Sequence, residues 1–563
     1  MTQTRTFLIV AWLVVAFLLW DAWQKDQHPS LQPEPAATAD TVLADQAIPE
    51  SDGSVPAVPE VGARPIQDKP ESAPVETPNA RTLILSNDVL RLSLAANGGA
   101  IVGAALLAYP EQANGDAAPV QLLSTEPAHL FLVQSGLVGQ PAAPAHDAKM
   151  QPQSGDQHLA EAGNEVSLTY LWQGDNGLEV ERNYRLTRGS YLVEITDTVR
   201  NKSSANWTGN AYHQLVRVPP PKPKGGFTNP QSLSFVGAAW YSPQDKFEKL
   251  KFGDFDPKEP LQRTVTDGWI AMLQHYFVAA IVPARGEATA FNNAVLSHNR
   301  YLVREMGNSL SVAAGAQAST KVQVYLGPKL RDQLEAVAPG LGLSLDYGIF
   351  TAIAQPIHWL LALLHSLFGN WGWAIVFLVV LIKAALFKLS EAQYKSFARM
   401  RRIQPRLEAL KERFGDDRQK YQTAMMELYK KEKINPLGGC LPILVQFPVF
   451  LSLYWVLIEA VELRQAPWIL WIQNLSAPDP YFILPALNLV TMWATQKLSP
   501  TPGMDPMQKR MMQMMPLVFG VMFAFFPAGL VLYWTTNGLL GLLQQWYIMR
   551  RHGEPAAAAA IAK

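Results

Sequence analysis

Sulfur and imidazole are scarce in this chain. It carries one cysteine, Cys440, and 10 histidines scattered through 563 residues. A single thiol closes no intramolecular disulfide and builds no cysteine-rich zinc site. There is no His-Glu-x-x-His pair, no phosphate-binding loop ending in Gly-Lys-Ser/Thr, no Gly-x-Ser-x-Gly elbow and no dinucleotide fingerprint. Net charge is absent too, because 47 Lys and Arg balance 47 Asp and Glu. That balance does not suit a sequence-specific nucleic-acid-binding domain. No cofactor, metal or catalytic residue is expected.

The balanced total hides a segregation. Residues 24–80 hold ten acids against three bases, with ten prolines and few aromatics. Such a segment cannot bury enough apolar surface to fold, and reads as a disordered acidic linker. Ahead of it, Arg5 precedes an apolar run from Phe7 to Trp20, with Trp23 beyond. The bulky, charged "LLWDAWQKD" lacks the small residues of a cleavage site, so residues 1–23 read as an uncleaved signal-anchor helix. Residues 388–433 carry thirteen Lys and Arg against seven acids. Membrane proteins fix their orientation with this kind of asymmetry.

Residues 81–340 alternate apolar and polar side chains, with turns at Asn97-Gly98-Gly99, Asp175-Asn176-Gly177 and Arg188-Gly189. Short strands at regular spacing predict an all-β sandwich. Sugar-converting sandwiches look similar, which makes His213, His275 and Asp267 the residues to weigh for catalysis. Isolated groups of this kind usually serve the core or the surface.

Beyond residue 345 the chain turns helical and apolar. Residues 345–368 predict an amphipathic helix lying in the membrane interface. His358 and His365 share it but lack a third ligand for a metal. A core at 371–549 follows, with five apolar segments near 371–389, 436–461, 481–498, 511–526 and 528–548. Residues 390–434 form a basic helical hairpin between the first two, and 550–563 a short tail. With the N-terminus inside, the basic segments fall in the cytoplasm and the acidic linker and β domain outside.

One charge interrupts the first of these spans, Lys383 in "AIVFLVVLIKAALFKL". A cation at the centre of a span costs roughly 2.5–3.5 kcal/mol on insertion scales. Either the side chain snorkels to the surface or the protein keeps a wet place for it. Neighbouring spans carry Gln446, a stripe of Asn488, Thr491 and Thr495, and Thr535, Thr536 and Asn537 with Trp534 beside them. These residues either bond between helices or line a hydrophilic groove with Lys383 as its fixed charge. A transporter or channel using Lys383 as a counter-charge is the competing reading, but it commonly brings internal repeats, and none is seen.

Three stretches, "LYKKEKINPLGGCLPILVQFPVFLSLYWVL", "VELRQAPWILWIQNLSAPDPYFILP" and "FPAGLVLYWTTNGLLGLLQQ", resemble the YidC/Oxa/Alb family of membrane insertases. The resemblance is to the Gram-negative type and extends more loosely to "GWIAMLQHYF" and "GPKLRDQLEAVAPGLGLSLDYG". It implies a multi-domain inner-membrane protein: an anchor, a periplasmic β-supersandwich, an interfacial helix and five spans around a groove open to cytoplasm and lipid. It implies a non-enzymatic insertase and chaperone for nascent inner-membrane proteins, acting alone or with the Sec translocon. Lys383 stands where the family usually has arginine. The exit path for clients would run along the second and fourth core spans, at Phe447, Pro448, Val449 and Phe450 and at Val518, Phe519, Met522 and Phe523. Ribosome and signal-recognition-particle receptor would meet the hairpin, since after Arg550 and Arg551 the tail is alanine-rich.

Overall fold

The structure, a computed structural model, describes residues 81–112, 117–221, 232, 234–255, 258, 260–414, 417–432, 441–498 and 506–552. The expected anchor, the acidic linker, Cys440 and the end of the tail lie outside the described residues.

Among the described residues, the β domain is two sheets of ten and nine strands packed face to face. The alternation that predicted strands is the alternation that fills the core. Along Leu192–Asn201, residues Val193, Ile195, Asp197, Val199 and Asn201 are buried and their neighbours are half-buried, because successive side chains leave opposite faces of a strand. This strand pairs with Leu178–Thr187 across a tight turn. Gly189 in that turn takes φ +69°, a left-handed conformation that glycine adopts without steric cost.

One inward position is charged. Asp197 lies opposite Arg182 in the register, and both side chains are essentially inaccessible to solvent. The guanidinium donates Nε to Oδ1 at 2.7 Å and Nη2 to Oδ2 at 2.9 Å, and its remaining arm donates to the Ser135 carbonyl. The pair is thus fully hydrogen-bonded, the condition under which buried charge is tolerated. His213, one of the residues weighed for catalysis, sits in the same network with its ring on the Ser135 hydroxyl at 2.9 Å. Burial holds its pKa down at about 4, so it is a neutral core histidine at pH 7. Asp267 takes φ +57° in a turn and accepts the Gly286 amide at 2.8 Å.

The helical part begins with α1 (Arg331–Val337) and α2 (Thr351–Phe368). Gly369 caps α2 at φ +64° with its N–H on the His365 carbonyl, and Asn370 then caps α3 (Trp371–Ala385) by accepting the Trp373 amide. Glycine past the end of one helix and asparagine before the next make this the shortest possible turn. α4 (Phe387–Arg402) leaves α3 at 68°. The first expected span, 371–389, therefore stops at Ala385, and its last residues belong to a helix running in another direction.

α5 (Gln404–Phe414) and α6 (Arg418–Lys431) form an antiparallel pair around Ile403, Leu407, Met425 and Tyr429. α7 (Leu441–Glu459), α8 (Ile483–Leu498), α9 (Pro506–Phe523) and α10 (Ala528–His552) complete the bundle. α9 ends three residues before Phe526, the expected end of its span.

The β domain is fastened to one end of this bundle. Glu459, the last residue of α7, accepts the Ser234 hydroxyl at 2.6 Å and faces Lys329 at 3.7 Å. His275 donates Nε2–H to the Ile458 carbonyl at 2.9 Å, and burial pulls its pKa down to about 3. The loop after α7 reaches back to the domain, with Gln465 Nε2 on the Pro110 carbonyl at 2.8 Å. The same loop holds the turn between α9 and α10 through Ala528 N on Ala477 O and Gly529 N on Leu475 O. It also accepts Asn370 Nδ2 at the Pro467 and Trp468 carbonyls. The starts of α3 and α10 and the end of α7 therefore share the domain end.

α2 is long and apolar enough to cross a membrane. Yet it leaves the domain at one end, contacts Glu462 through His358 midway, and delivers Asn370 to the domain-end loop at the other. Both of its ends lie at one end of the bundle, so it runs across the bundle rather than along it.

Replacing Arg182 by alanine leaves the Asp197 carboxylate buried without its partner, a loss that costs about 3–5 kcal/mol in comparable sites. We expect Arg182→Ala to lower the unfolding temperature of the β domain in the full chain by several degrees. Unfolding of Arg182→Ala coincident with that of the unsubstituted protein would show that the pair carries no such stability.

Candidate functional site

Lys383 lies in the last turn of α3, two residues before the bend. That places it about 3 Å from the helix end at 1.5 Å per residue, closer than the sequence spacing alone implies. The carbonyl end of a helix favours a cation. The side chain is half-buried and lines a cavity of about 190 Å³ with Gln446 and Phe447 of α7, and Tyr533 and Asn537 of α10. No carboxylate among the described residues pairs with it. Gln544 Nε2 of α10 lies 3.5 Å from the Lys383 carbonyl, at the long limit for a hydrogen bond.

The bend is braced from α10. Tyr394 of α4 donates to the Gly541 carbonyl at 3.3 Å, and a Cβ at Gly541 would meet both Lys383 Nζ and the Tyr394 hydroxyl at 3.7 Å. Arg401 donates to the Leu498 carbonyl at 2.9 Å, tying α4 to the end of α8. These contacts mark the bundle end away from the β domain.

A second, larger cavity of about 410 Å³ lies between α8, α9 and α10. Asn488, Thr491 and Thr495 line it, facing Met512, Met515, Phe519 and Phe523 of α9. The polar stripe thus meets the Met- and Phe-rich helix, not Lys383. Asn537 borders both cavities. Trp534 lies between them, with its ring 4.0 Å from Phe523 on one side and 6.0 Å from Phe450 on the other.

The remaining residues singled out from sequence take other places. Thr535 is buried and lines neither cavity. Its hydroxyl bonds the Val531 carbonyl at 2.8 Å and lies 3.3 Å from the Leu484 carbonyl of α8, which makes it a helix–helix contact. Thr536 is half-buried and lines neither cavity. Val449 and Phe450 line the Lys383 cavity with Phe447. The Pro448 carbonyl accepts the Ser452 hydroxyl at 2.7 Å. Val518 is 64% exposed and Met522 half-buried on α9. Tyr533, Met492 and Gln496 line these cavities without having been singled out, whereas Met512 and Met515 belong to the Met- and Phe-rich run at 511–526.

Outward faces are apolar. Trp373, Phe377, Val380 and Leu381 on α3, Met511, Met514, Val518 and Val521 on α9, and Phe525 just past its end are all more than a third exposed. Apolar faces of this extent on a helical bundle beside a β domain suit a protein set in a membrane. Among the described residues no group of three or more His, Cys, Asp or Glu could hold a metal. His358 faces Glu462 at 3.6 Å, while His365 stacks on Trp371 at 3.9 Å.

Comparison with known proteins gives the family. Residues 82–360 match the YidC periplasmic domain and residues 363–555 match the 60Kd inner membrane protein family. Membrane protein insertase YidC of Xanthomonas campestris pv. campestris (strain 8004) is 48% identical over 98% of both chains. That of Stenotrophomonas maltophilia (strain R551-3) is 47% identical over 99% of this chain and 98% of its own. A crystal structure of an active YidC insertase covers 83% of this chain and 92% of its own, with 17% identity and a TM-score of 0.38; the assignment rests on the sequence matches. The chain belongs to the YidC family of membrane protein insertases, non-enzymatic inner-membrane proteins with a periplasmic β-sandwich domain and a helical core.

Two glycines three residues apart on α10 test the packing of both cavities. A Cβ at Gly538 would lie 2.7 Å from Thr491 Oγ1, whereas at Gly541 it makes ordinary contacts. Gly541→Ala should be neutral or stabilising by up to about 1 kcal/mol, since alanine suits a helix better. Gly538→Val should destabilise by about 1–3 kcal/mol through overpacking. Thermal unfolding of the two variants in detergent checks the order, and a Gly538→Val variant as stable as Gly541→Ala would contradict it.

Proposed function

We propose that this insertase receives the hydrophilic part of a client in the cavity around Lys383, entered from the bundle end away from the β domain. The observation that carries the reading is a lysine sharing a half-buried cavity with Gln446 and Asn537 and with no carboxylate partner among the described residues. A cation so placed needs water. A wet pocket reaching into the bilayer shortens the apolar path, about 30 Å in full, that a polar tail must cross. The client's apolar segment leaves along Phe447 and the α9 face at Val518, Phe519, Met522 and Phe523. The Asn488, Thr491 and Thr495 cavity receives it beside the methionines, whose flexible side chains accept many shapes.

In this reading α3, α7, α8, α9 and α10 are the five spans and α2 lies in the outer interface. The hairpin α5–α6 and both termini are cytoplasmic, with the thirteen Lys and Arg of 388–433 obeying the positive-inside bias. The hairpin's charge suits the ribosome and the signal-recognition-particle receptor, and the lateral faces suit the Sec translocon. Nascent inner-membrane proteins are the clients.

A matched pair of clients differing only in the acids of the translocated tail tests the charge. A tail carboxylate about 7 Å from the ammonium gains about 2 kcal/mol at an effective dielectric near 20. We expect Lys383→Ala to slow insertion of the acidic client by up to about 30-fold and Lys383→Glu by more, with the neutral client little affected. Lys383→Arg should insert both. Equal insertion of the two clients by Lys383→Glu would remove the charge from the mechanism.

A further inference from the structure

We infer that the loop between α7 and α8 is a lipid-bound foot. Its apolar tip, at Leu470, Tyr481 and Phe482, sits in the outer leaflet at the boundary between headgroups and acyl chains. Two of these residues are held in a costly conformation. Leu470 takes φ +52° and Phe482 φ +56°, a left-handed backbone that bulky side chains rarely adopt. Neither side chain is packed inside the protein in return. Leu470 is 74% exposed, Tyr481 67% and Phe482 52%. The Trp471 ring stands edge-on to Tyr481 at 6.4 Å, which brings the two strained sites into one patch. The frame behind the patch is closed. Asp479 is buried and accepts Trp471 Nε1 and the Tyr481 amide at 3.0 Å and the Leu484 amide at 2.7 Å. Asn474 accepts the amides of Gln465 and Ser476, each at 2.9 Å. A fixed frame, strained so that apolar side chains turn outward, needs an apolar occupant.

Continuity identifies that occupant as lipid. Phe482 opens the outward face of α8, which runs on through Ile483, Leu487, Val490 and Trp493, all more than a third exposed. On the other side, exposed Ile469 follows Trp468, whose ring meets Trp373 of α3 at 5.7 Å. Trp373 heads the exposed apolar face that continues at Phe377, Val380 and Leu381. The tip thus joins the outward faces of two helices at their domain ends. Between Arg464 and Asp479 the sequence carries no charge, so nothing there resists entry into lipid. Trp and Tyr, apolar rings with one polar atom, are the residues favoured at headgroup level. The setting rests on the topology proposed above, in which α3 and α8 are spans. Behind the tip, Arg464 and Gln465 hold the Glu111 and Pro110 carbonyls of the β domain. The foot therefore sets how deep the start of α8 sits and how close the domain stands to the bilayer.

Nitroxide labels read the setting without any client. The full chain, with Cys440 replaced by serine, is reconstituted in phosphatidylethanolamine–phosphatidylglycerol vesicles. Labels at Leu470→Cys and Phe482→Cys should relax faster with oxygen, which collects in lipid, than with a water-soluble nickel chelate. Ala314→Cys, in the exposed turn between the strands Arg300–Val312 and Gln317–Pro328, should show the reverse, and Val490→Cys on α8 marks the lipid interior. If one loop variant fails to fold, the other loop position decides. Leu470→Gly should leave the unfolding temperature in detergent unchanged or raise it, because glycine takes this backbone without steric cost. Loop labels as open to the nickel chelate as Ala314→Cys would overturn the foot, while Val490→Cys in lipid would leave the spans standing. Loop labels shielded from both reagents would put a second copy of the protein on the patch, and a lowered unfolding temperature for Leu470→Gly would show the side chain packed within the protein; either overturns the assignment. Val490→Cys in water would remove the topology itself, and the foot with it.

Discussion

A charge inside a membrane must have water or a partner, and in the function proposed above Lys383 is given room for water. Three features make that room. The bend between α3 and α4 turns the chain away directly after the lysine. Gly541 places only backbone of α10 beside its ammonium, where even a Cβ would make ordinary contact at 3.7 Å. Gln446 and Asn537 supply polar walls from two other helices. None of these would be needed if the helix simply carried an apolar residue there, so the charge constrains the packing of four elements.

The opposite end of the bundle is built on the reverse principle. There, polar groups meet other groups of the protein across the seam. Glu459 meets Ser234 and Lys329, His275 meets the Ile458 carbonyl, and the Ala477 and Leu475 carbonyls fix the start of α10. Burial draws the Lys329 ammonium below its ordinary range, while the Glu459 carboxylate beside it pulls the other way. A buried pair of this kind adds little net stability but is costly to break. It therefore holds the domain and the α7 terminus in one arrangement. The bundle is tied at one end and open to a polar cavity near the other.

Much of this was legible from sequence, and the limits have physical causes. Period-two alternation in the β domain reports burial directly, so the sandwich and its turns could be read. The Gly369-Asn370 break could be read because each residue has one role at a helix end. The bend at Leu386 could not, because no proline or glycine marks it: it arises where α4 packs on α10 through Tyr394. The polar residues were found, but they line two cavities rather than one groove. Spacing on one helix shows that Asn488, Thr491 and Thr495 share a face, but not which neighbour that face meets. Thr535 and Asn537 lie two residues apart and point to different sides, one bonding between helices and one bordering both cavities.

The central claim is that Lys383 stands in water reached from the hairpin side. In a chain with Cys440 replaced by serine, Lys383→Cys can be probed with a membrane-impermeant maleimide, with Phe377→Cys on the exposed apolar face of α3 as the control. The account predicts rapid labelling of Lys383→Cys in inverted membrane vesicles, little in right-side-out vesicles, and little of Phe377→Cys in either. Lys383→Cys as unreactive as Phe377→Cys from both sides would contradict it.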